Sequence, residues 1–486
     1  MTEPTPPRWR TALWRGETAP IPVVRTPTRA VYPRRGPVND AEITAVDDGA
    51  ALALRVGTLL LAGGAPTEDV EAAIFAVGSA VGLGLFEVDV TYKSIVISVA
   101  ASHGRPALTD MRVVRGRSMH FARVAAAHRL VLDLADGRIP PSEAERRLSE
   151  IEHLRRPYPR WFVVVAFGVL SSAITVQLGG GFHTAWVSFL AAVLTGLVGN
   201  RLTRRRAPTF FVNLVLAFGA ALVAVLVTAN EQVFGDLHIK TPLVIVGGII
   251  ALLPGMTLMV ASQEAIGSFS VTAAARFVEL TFATIGIVAG VLLGLVVADI
   301  FDVAMSVAVR LDADALRATT AALSAGLAAT FAAVTYQSPW KLALPGGLLA
   351  GVSYFVYLWV NDWLETVGRH SDASGAGTVA TPAVATAFAA ILIGFLSALF
   401  ARRLRIPPVL LTAAGIIPLL PGLAVYQGLL ALSRNDDITT GLRYLIEAVS
   451  VAIALAAGAL LGQLLTGRLL QSPLRAFIPQ RRVNER

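Results

Sequence analysis

The chain has 486 residues, 55% of them hydrophobic and only 15% charged, with a mean hydropathy of +0.64. A soluble protein carries about 25% charged residues, so a wholly soluble chain is excluded. The absence of cysteine excludes disulfides, iron–sulfur clusters and thiolate zinc sites, and the net charge of +8 is almost all arginine, which here speaks of topology and anionic lipid; no nucleic-acid motif accompanies it.

Residues 1–40 are rich in proline and arginine and lack the apolar core of a signal peptide, so a disordered tail is expected. Residues 41–157 read as a small cytoplasmic α+β domain. Ala41–Leu61 has helical periodicity and stops at Gly63-Gly64. Pro66-Thr67-Glu68-Asp69 begins a second helix, with Thr67 placed to cap it and acids suited to its dipole. Phe86–Tyr92, Ser94–Ala100 and Met111–Arg115 read as strands. His120–Ala135, closed by Gly137, and Pro141–Leu154 read as helices.

Beyond Trp161 the composition turns apolar, and ten runs are long enough to span a bilayer. They lie at 161–178, 184–200, 210–229, 242–261, 277–298, 318–335, 342–360, 379–400, 407–431 and 444–466. The fold class expected is therefore a polytopic α-helical membrane protein. Its parts are five helices in 158–310, five in 311–468 and a cytoplasmic tail at 469–486. With the N-terminal domain inside, the inner loops hold Arg201, Arg204–Arg206, Arg276, Lys341, Arg402, Arg403 and Arg405. The outer loops are poorer in arginine, so both termini are placed in the cytoplasm of a bacterial inner membrane.

One phrase occurs twice. Residues 248–255 read Gly-Ile-Ile-Ala-Leu-Leu-Pro-Gly and residues 415–422 read Gly-Ile-Ile-Pro-Leu-Leu-Pro-Gly, 167 positions later. Each falls in a span where Pro-Gly breaks the helix, in the fourth and the ninth. An offset of five spans reverses direction, so the layout implies a 5+5 inverted repeat. Broken helices at matching places in two such halves point to a transporter's binding site. The breaks at Pro254-Gly255 and Pro421-Gly422 free amide N–H groups of the half-helix that follows, which suit a carboxylate, and carbonyls of the half-helix that precedes, which suit an ammonium group, so Gly248, Pro254, Gly255, Gly415, Pro421 and Gly422 are candidate substrate-binding residues. Asn213 and Tyr426 are candidate substrate contacts.

Polar residues at membrane depth are costly and mark function. Arg276 and Glu279, three apart, can pair on one helix face. Gln263 and Glu264 follow the first broken helix at the cytoplasmic mouth. These four are candidates for proton coupling or gating. No metal-ligand spacing, Walker loop or dinucleotide fingerprint is present, so no cofactor or metal is expected and transport should be secondary.

Several runs together identify a resemblance to the threonine/serine exporter family. In the N-terminal domain they are Gly57-x-x-Leu60-x-x-Gly63-Gly64-Ala65-x-Thr67 and Val88-Asp89-Val90-Thr91. In the membrane part they are Ala207–Phe211 with Asn213, Leu253-Pro254-Gly255-x-Thr257-Leu258, Ser262-Gln263-Glu264 and Val271–Phe277 with Glu279. Ile406-Pro407-Pro408, Leu420–Ala424 with Tyr426, and Ala456–Gly458 continue it, so that it covers roughly 45–466. It implies ten spans, a hydrophilic N-terminal domain and proton-coupled export of threonine and serine; it supplies no substrate site. A homo-oligomer is compatible with the sequence. The alternatives are a passive channel for small solutes and a membrane-anchored enzyme using Asp69, Glu71, Asp89 and His103.

Overall fold

The computed structural model describes residues 40–100, 107–116, 119–230, 239–250, 252–253, 255–303, 315–370, 377–433 and 438–469. The expected tails lie almost wholly outside these residues, as do Pro254 and His103.

The N-terminal domain is built as its sequence patterns require. Helices α1 (Asp40–Ala62) and α2 (Thr67–Ala80) precede strands β1 (Phe86–Val90), β2 (Ser94–Val99) and β3 (Leu108–Val113). Helices α3 (Phe121–Ala135) and α4 (Pro141–Glu152) follow. The sheet is antiparallel in the order β1-β2-β3, with Val88 opposite Ile97 and Ile97 opposite Asp110. Alternation along β2 turns Ile95, Ile97 and Val99 inward, as a half-buried sheet requires. The third strand starts three residues earlier than expected. Thr67 does not cap α2: Pro66 holds the cap position and no side chain closes it.

Among the described residues eight helices are long and apolar enough to cross a membrane. They are α5 (Arg160–Gln177), α6 (Phe182–Arg204), α7 (Thr209–Ala229), α10 (Ser270–Ile300), α11 (Ala315–Thr335), α12 (Trp340–His370), α13 (Gly377–Leu404) and α16 (Ile438–Leu469). The expected fourth span is two short helices, α8 (Thr241–Ile249) and α9 (Gly255–Ile266), of 9 and 12 residues. The expected ninth is α14 (Val409–Gly415), a 3₁₀ turn at Ile417–Leu419 and α15 (Gly422–Ser433). Its two pieces pass the spanning test together and are bent by 46°. Both copies of the repeated phrase interrupt the α-helical ladder, as expected of the fourth and ninth spans. Along α12, Leu344, Leu348, Val352, Phe355, Trp359 and Trp363 face outward, the surface that lipid covers.

The first and second sets of helices pack by the same rules. α7 lies against α10 and α13 lies against α16. Both contacts are close because glycine leaves room. A Cβ on Gly286 of α10 would stand 2.6 Å from the Phe210 carbonyl, and one on Gly458 of α16 would stand 2.7 Å from that of Ala387. Small residues at such faces let membrane helices gain packing and dispersion contacts.

After its break, each interrupted segment crosses into the other set. Met259 of α9 is buried with Ala389, Ile393 and Leu455 of α13 and α16. Tyr426 of α15 is buried with Ala217, Ile245 and Ile287 of α7, α8 and α10. At the crossing the contacts are reciprocal. A Cβ on Gly255 would lie 2.8 Å from Leu420 Cβ, and one on Gly422 would lie 2.9 Å from Leu253 Cβ. Residue i of one phrase meets residue j of the other, and j meets i, as a two-fold relation demands.

Candidate functional site

A cavity of about 640 Å³ opens between the crossing and the N-terminal domain. Its roof is the first turn of α9, at Met256 and Met259, with Thr412 and Ala413 of α14. Arg402 and Arg405 at the end of α13, and Gln463 of α16, form one flank. The start of α2, with Glu68 and Asp69, and His128 of α3 close it from the soluble side. The lining is thus largely apolar with a few polar groups, the usual make-up of a small-molecule site. The lining includes the acids Glu68 and Asp69, the arginines Arg402 and Arg405, and the uncharged Gln263, Thr412 and Gln463.

Glu264 is the buried centre of the mouth, its side chain 2% exposed. Arg276 grips it with two charge-assisted bonds, Nε to Oε2 at 2.5 Å and a terminal nitrogen to Oε1 at 2.8 Å. Thr67 Oγ1 donates to the same Oε1 at 2.9 Å. Thr67 thus gives its hydroxyl to the membrane part instead of to its own helix. The guanidinium of Arg276 also lies 5.9 Å from the ring centroid of Tyr92, whose hydroxyl donates to Glu279. One chain of contacts, Thr67–Glu264–Arg276–Tyr92–Glu279, therefore ties the N-terminal domain to α9 and α10. Arg276 meets Glu264, twelve residues back, where the sequence suggested Glu279.

Other joints lie on the same side. Tyr158 Oη donates to the Ser338 carbonyl at 2.8 Å, and Arg405 reaches Asp133 at 3.0 Å and Asp136 at 3.3 Å. Burial, then the charges of Arg129 and Arg405, push the His128 imidazole down to a pKa of about 4.

The remaining candidates have other places. Gln263 lines the cavity with Glu264. Gly255 and Gly422 form the crossing, with Pro421 between Leu420 and Gly422. Gly248 and Gly415 are packing glycines, where a Cβ would stand 2.6 Å from Ala220 and 3.0 Å from Ile393. Asn213 clasps α7 to α10 by donating to the Ala283 carbonyl at 3.2 Å. Tyr426 is fully buried at the crossing and does not line the cavity. Asp69 lines the cavity, Glu71 lies two residues further along α2, about half a turn away, and Asp89 is exposed on β1, so these three do not gather into a catalytic group. Among the described residues no cluster suits a metal ion.

Local sequence pattern does not mark Thr67, Tyr92, His128 or Gln463 as site residues. Tyr92 directly follows the Val88–Thr91 run, and Thr67 ends the first family run, but their partners lie 187 and 197 residues away.

Comparison with known proteins identifies the family. A family model described as "Putative threonine/serine exporter" matches residues 51–298, and a second, "Threonine/Serine exporter, ThrE", matches residues 321–465. The chain is 34% identical over 435 residues to the "Threonine/serine exporter" of Corynebacterium glutamicum, covering 88% of this chain and 85% of that one. It is 32% identical over 473 residues to the "Probable threonine/serine exporter" of Mycobacterium tuberculosis, covering 95% and 82%. A more distant relative is the "Probable succinate transporter subunit YjjP" of Escherichia coli, 23% identical over 247 residues, which are 51% of this chain and 93% of that one. No solved structure matches. The chain belongs to the threonine/serine exporter family.

Proposed function

We propose that this protein is a secondary exporter of small amino acids, threonine and serine, working by alternating access across a bacterial inner membrane. The observation that carries the reading is a cavity on one side of two crossed, broken helices, in a chain of this family. The helices form a 5+5 inverted repeat with ten passages of the membrane, both termini in the cytoplasm. Reciprocal packing of Leu253 on Gly422 and Leu420 on Gly255 supports that symmetry. The cavity then opens inward, and the crossing bars the way out.

A zwitterion suits the lining. Its carboxylate faces Arg402 and the amides at the start of α9, and its ammonium group faces Glu68 and Asp69. Export requires the crossing to part and the inner mouth to close. In an inverted repeat this is a rocking of one bundle on the other. Protons couple at the mouth. Ionised Glu264 holds Arg276 and Thr67; a proton on Glu264 removes the charge that Arg276 grips and loosens the N-terminal domain.

The test is release of labelled threonine and serine from proteoliposomes with and without a pH gradient. The expected flux saturates, rises with the gradient, and loses its gradient dependence in Glu264→Gln. Flux that saturates but ignores the gradient in the parent chain removes proton coupling. Unsaturable flux makes the protein a channel, and no flux of either amino acid sinks the substrate assignment.

A further inference from the structure

A second cavity, of about 220 Å³, lies within the N-terminal domain, away from the transport cavity. It is lined by Arg55, Arg112, Arg123, His120 and Glu152, with a short apolar stretch of α1. Glu152 is already matched, since Arg55 donates to its two oxygens at 3.2 and 2.8 Å. Arg112 and Arg123 leave an excess of positive charge.

The protonation of His120 can be read from its contacts. The residue is 4% exposed and stands at the start of α3, where its Nδ1 accepts the Arg123 backbone N–H at 3.3 Å. A neutral imidazole that accepts at Nδ1 carries its proton on Nε2. Among the described residues that buried Nε2–H has no partner, and the same is true of Arg123 Nε–H. Burial, and then the charge of Arg123, hold His120 below its ordinary pKa, which favours this neutral form. The first two α3 amides are engaged elsewhere, Phe121 and Ala122 donating to the Tyr336 and Gln337 carbonyls at 3.0 and 3.3 Å. Two residues of the lining thus carry buried donors with nothing to accept from them. Buried donors left unmatched are costly.

We infer that this pocket binds a small oxyanion, a phosphate or a carboxylate, through His120 Nε2, Arg123 Nε and Arg112. The bound group accepts the two orphan bonds and balances the surplus charge, and Arg112 reaches it from the exposed strand β3. The site borders the joint between α3 and the α11–α12 loop, so its occupant sits where the soluble domain meets the second helix set. This inference stands independently of what the membrane part carries.

Calorimetric titration of the full-length protein in detergent tests it, with inorganic phosphate, acetate and threonine as separate probes and chloride holding the ionic strength constant. At least one probe should bind saturably, and Arg112→Glu should weaken it by about tenfold or more, the loss expected for one charged hydrogen bond. Phosphate alone binding identifies a phosphoryl ligand. Acetate binding identifies a carboxylate, and threonine binding that depends on Arg112 identifies the carboxylate of an amino acid. Because Arg112 is exposed, its replacement should leave the melting temperature in probe-free buffer unchanged. A second readout uses no assumption about heats: the effective probe should raise the melting temperature of the parent chain and not that of the variant. No saturable binding by the parent chain, or binding that Arg112→Glu leaves intact, overturns the site and leaves the cavity to water.

Discussion

Thr67, Glu264 and Arg276 set the strength of the mouth, because each contact is buried and two carry charge. Removing one partner of a buried ion pair leaves the other uncompensated and costs about 3–5 kcal/mol. Glu264→Gln should therefore lower the melting temperature of the purified chain sharply as well as its gradient-driven flux, whereas the exposed Glu279→Gln should melt near the parent. A Glu264→Gln protein that melts like the parent would mean the pair contributes little. Thr67→Val deletes one hydrogen bond to a charged group, worth about 1.5–3 kcal/mol, and Thr67→Ser should restore it; a valine variant with unchanged melting would show that the hydroxyl does not hold the domain. His128 sets a pH limit. Its folded pKa of about 4 lies below the ordinary 6.5, so the unfolded chain binds the extra proton between those values. The stability that comes from keeping it neutral is present above pH 6.5 and is lost as pH falls toward 4. Melting curves of His128→Gln should fall less steeply over that window than those of the parent; identical slopes would place the acid sensitivity elsewhere.

The broken helices are where element-scale physics decides the outcome. Gly255 and Gly422 allow two helix starts to approach so closely that a methyl group would meet a leucine Cβ at 2.8 or 2.9 Å. Gly422→Ala should overpack the crossing by about 1–3 kcal/mol and slow its parting. Leu253→Gly removes the Cβ that the new methyl strikes, so the double variant should recover flux that the single variant loses. Independent, additive losses in the two variants would mean the residues are not in contact during transport. These breaks were legible because the recurrence of eight residues marked both; Pro-Gly alone does not mark a break, since Pro345-Gly346 lies inside the continuous α12. The spans were legible because length and hydropathy are local properties. The site was only half legible. Glu264 stood out as a carboxylate beside a span, but spacing pointed Arg276 at Glu279, three residues along its own helix, and the loop before α10 brings it Glu264 instead. Thr67 read as a cap because capping is the local use of a threonine at a helix start; its distant acceptor is a property of the assembled fold. Gly248 and Gly415 sit within the repeated phrase yet serve packing, which sequence periodicity cannot separate from ligand approach.

At the scale of the whole molecule, the two-fold relation extends past the repeated phrase. Val271-Thr272 and Arg276-Phe277 at the start of α10 recur 167 positions on as Ile438-Thr439 and Arg443-Tyr444 at the start of α16. In the proposed inverted repeat five intervening spans would place equivalent residues on opposite sides of the membrane, with Arg443 at the outer mouth and Arg276 at the inner one. The joints of the soluble domain are consistent with this, because it touches the Glu264 segment, the α11–α12 loop and Arg405, which the charge pattern puts inside. The chain has no cysteine, which permits a direct test by single labels. Val271 and Ile438 are 76% and 70% exposed, so a cysteine at either is reachable without disturbing a core. A membrane-impermeant maleimide added to intact cells should label Ile438→Cys and spare Val271→Cys, and inside-out vesicles should reverse the pattern. Labelling of both from one side would make the repeat parallel. The mouth formed by Glu264 and Arg276 could then have no counterpart across the membrane, and rocking between two symmetric states would lose its structural basis.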